Sequence, residues 1–85
     1  MSRKQKLLDD ILSGRRDNAV RFDALCGLLT TLGFDERVRG SHHIFTREDV
    51  EDILNLQPRG DGSAKAYQVK QVRDVLTKYQ IGLDA

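Results

Sequence analysis

Gly33-Phe34-Asp35-Glu36-Arg37-Val38-Arg39-Gly40-Ser41-His42-His43-Ile44-Phe45 is the stretch in which the spacing of apolar residues changes. Before it, Phe22, Leu25, Leu29 and Leu32 recur at helical intervals, widened into a face by Cys26 and Leu28. From Phe34 onward, Phe34, Glu36 and Val38 alternate with Asp35, Arg37 and Arg39, the period of a half-buried strand. Gly40 is expected to break or bulge that strand, and Ser41 to Thr46 forms a second one rich in β-formers. Along a straight strand, side chains point to opposite faces in turn. Phe45 is the better core residue and carries His43 inward with it, so His42 shares the open face with Ile44 and Thr46.

Working outward, Asp23 stands in the first turn of the helix from Phe22 to Leu32, where a carboxylate meets the positive end of the helix dipole, and Gly33 is its stop. Upstream, Ser2 caps an earlier helix through Leu7, Leu8, Ile11 and Leu12, closed by Gly14. Its single apolar stripe predicts packing at the edge of the core, and a turn follows from Gly14 to Asn18. Downstream, Thr46 to Asp52 is open to two readings. Thr46-Arg47-Glu48-Asp49 can be a capping box for a short helix, or a polar hairpin turn before a strand from Ile53 to Gln57. Pro58 ends the segment either way, Arg59 to Ser63 is a loop, and a last helix from Tyr67 to Tyr79 buries Val69, Val72, Leu76 and Tyr79. Helices and strands segregated in this way predict an α+β fold, a small antiparallel sheet with helices on one face. A single domain is expected over 1–85, with a core over 20–80 and an additional helix and turn over 1–18.

A chain of 85 residues buries a modest core. Its net charge of +1 does not announce a nucleic-acid binder, so that inference rests on local distribution. Arg37, Arg39 and Arg47 border the histidines, and Arg59, Lys65, Lys70, Arg73 and Lys78 mark the last loop and helix against only Asp61 and Asp74. The acids gather instead at Glu48, Asp49, Glu51 and Asp52. One cysteine, Cys26, excludes an intramolecular disulfide; its apolar neighbours in sequence predict a buried thiol with no redox role, compatible with a reducing compartment. No apolar run approaches the roughly 20 residues of a membrane span, and no apolar core follows the basic N-terminus as in a signal peptide. The expected location is cytoplasmic, with no membrane partner.

His42 is the sharpest candidate for chemistry, since an imidazole titrates near neutral pH and can take or give a proton there. No metal site is expected: adjacent strand histidines diverge, Cys26 sits on a helix, and no HxxxH or CxxC spacing occurs. A Ser-His-Asp triad finds no support, because Ser41 lacks a nucleophile elbow. Gly60-Asp61-Gly62 is too short and generic for a phosphate loop.

The run from Leu28 to Phe45 resembles the HicA family of toxins, also called YcfA-like: an amphipathic helix ending in Gly33-Phe34, a short strand with arginine, then Gly40-Ser41-His42 before the pair Ile44-Phe45. Lys65 and Tyr67 to Leu76 are similar to the family's closing helix, and the resemblance spans Phe22 to Tyr79. It implies an α-β-β-β-α fold like that of a double-stranded-RNA-binding domain (dsRBD), and so a third strand rather than a short helix. It also implies an mRNA interferase: an endoribonuclease independent of ribosome and metal, without a cofactor, restrained by a HicB-type antitoxin. The catalytic histidine of Gly-Ser-His falls on His42, and His43 falls at a variable position. The chain departs from the family in its first helix, in a longer loop from Arg59 to Ala66, and in Pro58-Arg59-Gly60, where many relatives carry a further histidine.

On this basis His42 takes the 2′-hydroxyl proton, while Arg37, Arg39, Gly40, Ser41, Lys65, Lys70 and Arg73 position RNA. The group that protonates the leaving oxygen is not identified by the sequence. The competing expectations are a non-catalytic RNA-binding module on the same fold and a protein-interaction domain.

Overall fold

A computed structural model describes residues 2–83. Helix α1 (Arg3–Ser13) opens where the Ser2 hydroxyl accepts the Gln5 N–H at 3.1 Å, and closes at Gly14, whose left-handed φ of 74° lets its N–H reach the carbonyls of Asp10 and Ile11. Helix α2 (Phe22–Thr31) ends where Gly33 N–H reaches Thr30 and Phe34 N–H reaches Leu29, both at 3.0 Å. Three strands follow, β1 (Asp35–Arg39), β2 (His42–Arg47) and β3 (Val50–Leu56), then helix α3 (Ala66–Lys78). A short 3-10 turn at Asp17–Ala19 joins α1 to the rest.

The fold is α+β: one antiparallel sheet in the order β1-β2-β3, with helices packed on one face. After the extra N-terminal helix, the element order is consistent with the dsRBD arrangement. The segment that sequence left open, Thr46 to Asp52, is a hairpin turn at Glu48-Asp49 followed by a strand. The capping box does not form because Val50, Leu54 and Leu56 are buried on one side of a strand and draw the chain into the sheet.

One local expectation is resolved and two are corrected. Of the two outcomes expected at Gly40, the strand breaks rather than bulges: Gly40 begins the two-residue turn Gly40-Ser41, closed by the pair Arg39↔His42. Its φ of +58° suits the first central position of a type II′ turn, which twists in the sense the flanking strands require. The irregularity lies instead across the far end of β2, where Phe45 pairs with Leu54 but Arg47 pairs with Val50. Helix α1 is not at the edge of the core: Leu8 and Ile11 are buried within the same cluster as Leu25, Leu29, Phe45, Val72 and Leu76. Strand β1, expected to be half-buried, is exposed at every position, because it is a sheet edge where α2 reaches only the Glu36 side chain.

Candidate functional site

The central strand separates the two histidines. His43 lies on the core side with Phe45, its ring edge against Phe22 at 4.8 Å between centroids and its Nδ1 2.8 Å from Glu36 Oε2. His42 lies on the open face, as alternation requires. Its Nδ1 is 3.1 Å from Asn55 Oδ1, on the neighbouring strand β3. An amide oxygen only accepts, so this contact selects the tautomer with hydrogen on Nδ1 and leaves Nε2 with its lone pair free.

A chain of amides braces the turn beside His42. Gln57 Nε2 donates to Ser41 Oγ at 2.8 Å, and Gln57 N–H donates to the side-chain oxygen of Gln68 at 3.0 Å. Gln68 is the buried polar residue of α3, so the hairpin turn is tied to the start of that helix. His42, Asn55, Gln57, Tyr67, Gln68 and Gln71 line one shallow concavity. Tyr67 is 60% exposed there, an aromatic ring with little to pack against.

The predicted cations divide. Arg37 and Arg39 stand on the open face around Ile44 and Thr46, with no ion pair among the described residues. Lys65 occupies the N-cap position of α3 without a side-chain capping bond, and Lys70 is exposed on that helix. Arg73 is not brought to this face: it pairs with Asp17 at 2.9 Å and donates to the Ile11 carbonyl, tying α3 to α1. The Asp17 carboxylate holds the Arg73 guanidinium above its ordinary pKa. Arg47 turns to Asp49 and lies over the Phe34 ring, at the far end of β2 from the histidines. Ser41 is in place, but its oxygen already accepts from Gln57.

No family model, curated protein or solved structure matches the chain.

Sequence reasoning missed Asn55, Gln57, Gln68 and Tyr67. The signal for Asn55 was present in outline: it flanks Leu54 and Leu56, so once those are buried it must face the side of His42. For Tyr67 the sequence indicates only the start of the closing helix, and its place beside β3 depends on how α3 docks. A second grouping was missed because its members are far apart in sequence. Cys26, Glu36 and His43 bring their ligand-type atoms within 4.8 Å of one another, so Cys26 is not in purely apolar surroundings. Burial, then the Glu36 carboxylate, pushes its thiol up to about 12. Among the described residues no helix is long and apolar enough to cross a membrane.

Proposed function

We propose that the chain is an mRNA endoribonuclease of the HicA kind, a toxin restrained by a HicB-type antitoxin, with His42 as its general base. The observation that carries this reading is the orientation of His42: Nδ1 held by Asn55 at 3.1 Å on the open face, beside two arginines without ion-pair partners among the described residues. RNA brings its own nucleophile, so such a site needs a base, cations and positioning, and no metal.

In the proposed step, Nε2 of His42 takes the proton of a 2′-hydroxyl. The 2′-oxygen bonds to the adjacent phosphorus, the bond from phosphorus to the 5′-oxygen breaks, and solvent on this open face protonates the leaving oxygen. The products are a 2′,3′-cyclic phosphate and a 5′-hydroxyl. Arg37 and Arg39 offset the charge that builds on phosphorus. Tyr67 offers a ring on which an unpaired base can stack, which favours single-stranded over duplex RNA. Lys65 and Lys70 follow the backbone beyond it.

The test is cleavage of RNA in EDTA, at a temperature where the protein stays folded, with end-group analysis. Loss of the general base should slow His42→Ala by about 10²–10⁴-fold. Full activity of that variant overturns the mechanism. RNA bound but left intact by the unaltered protein supports the non-catalytic RNA-binding reading.

A protein-interaction role gains support from Ile53, 66% exposed on β3, and from the exposed edge strand β1. A HicB-type antitoxin seated across the open face would use these and cover His42, so the two roles share one surface. Failure to bind RNA at all, with a partner retained, leaves the interaction role alone.

A further inference from the structure

We propose that Cys26, Glu36 and His43 form a binding site for one divalent transition-metal ion, zinc by the chemistry of its donors. The site lies on the opposite side of the sheet from His42 and does not depend on the ribonuclease reading.

The three residues come from α2, β1 and β2, and the fold alone brings them together. Their thiol, carboxylate and imidazole atoms all lie within 4.8 Å of one another. Bonds of about 2.0–2.3 Å from zinc to nitrogen, oxygen and sulfur place tetrahedral donors roughly 3.3–3.7 Å apart. The widest separation therefore closes by about 1 Å, and the 2.8 Å contact between His43 Nδ1 and Glu36 Oε2 opens by roughly half that. Displacements of this size are within the reach of side-chain torsions. Sulfur, nitrogen and oxygen in one set suit a borderline-soft ion better than magnesium or calcium, which take oxygen alone.

Burial and charge agree with this. Cys26 is 9% exposed and closes the site on the core side. The side chains of His43 and Glu36 are 24% and 28% exposed, which leaves an entry path and room for a water as fourth donor. The ring of His43 is already fixed by its edge contact with Phe22. Glu36 faces the helix side of the sheet and has no Lys or Arg partner among the described ion pairs, only His43. A thiolate and a carboxylate together balance a doubly charged ion, so the loaded site is neutral next to the core. Binding displaces the thiol proton to the buffer, and the ion links the edge strand β1 to α2.

The test uses the full chain without a histidine tag, stripped by chelation and titrated first with Co2+ and then with Zn2+. One equivalent of cobalt should give thiolate-to-metal charge-transfer absorption and tetrahedral d–d bands, bleached by one equivalent of zinc, and zinc should raise Tm. Cys26→Ser should lose the charge-transfer absorption; Glu36→Gln and His43→Gln should each weaken binding by at least about tenfold. His42→Ala should bind as the unaltered chain does. Circular dichroism checks that each variant is folded; should Cys26→Ser not fold, Glu36→Gln on the exposed edge strand decides. Absence of the charge-transfer absorption in the unaltered chain, or equal affinity in folded Cys26→Ser or Glu36→Gln, overturns the site.

Discussion

At the scale of single residues, the bond from Asn55 to His42 does what a histidine base needs, fixing one nitrogen as donor so that the other accepts. If the proposed cleavage holds, Asn55→Ala should lower it without changing the fold. Asn55→Asp places a carboxylate on the same nitrogen, favours the charged imidazole and should move the acidic limb of the pH–rate profile upward. An unmoved profile would remove Asn55 from the mechanism. Cys26 makes a separate prediction for the metal-free protein. Its folded-state pKa is raised from 9.0 to about 12, so its neutral thiol contributes stability that is complete below pH 9 and disappears as pH climbs toward about 12. Urea midpoints of the unaltered chain should therefore fall more steeply on the alkaline side than those of Cys26→Ala, which has no thiol to ionise.

At the scale of elements, α1 is the clearest difference from expectation. Its charged residues and narrow stripe suggested a peripheral helix, yet Ile11 is fully buried. Ile11→Ala should cost about 2–5 kcal/mol, whereas Leu12→Ala, at a position 42% exposed, should stay within about 0.5 kcal/mol. Chemical denaturation of both variants checks this. Gly40→Ala meets no steric neighbour, so its cost is that of a left-handed backbone, about 1–2 kcal/mol. The switch of apolar period at Phe34, the caps at Ser2 and Gly14, and the opposite orientations of the two histidines were legible because each is local. The depth of α1, the exposure of β1 and the pairing of Arg73 with Asp17 were not. They depend on which faces the helices cover, and a stripe of given width looks the same at the centre of a core and at its rim. The site divides in the same way: His42 was found from its own strand, whereas Asn55, Tyr67 and the neighbours of Cys26 required the assembled sheet.

At the scale of the whole molecule, a net charge of +1 hides two populations of cations. Among the described residues Arg37 and Arg39 have no ion-pair partner on the open face, whereas Arg73 and Lys78 are occupied with Asp17 and Asp52. On the proposed ribonuclease reading, the logarithm of RNA affinity should fall linearly with the logarithm of salt concentration, each phosphate contact contributing about 0.7 to the slope for single strands. Replacing Arg37 and Arg39 together should lower that slope by about 1.4. Arg73→Ala should leave the slope unchanged and lower thermal stability instead. An equal loss of slope from Arg73→Ala would mean that the division of cations is wrong.

The alternation of β2 also equips the protein with two built-in spectroscopic probes. It has only two imidazoles, one on each side of a three-stranded sheet, so their ring proton resonances are a spectrum of two channels. Events on the open face should move the His42 signal first, and events between the sheet and α2 should move that of His43. A titration with RNA, with a partner or with zinc can thus be assigned to a side of the molecule without label or mutation, by watching which of two lines shifts.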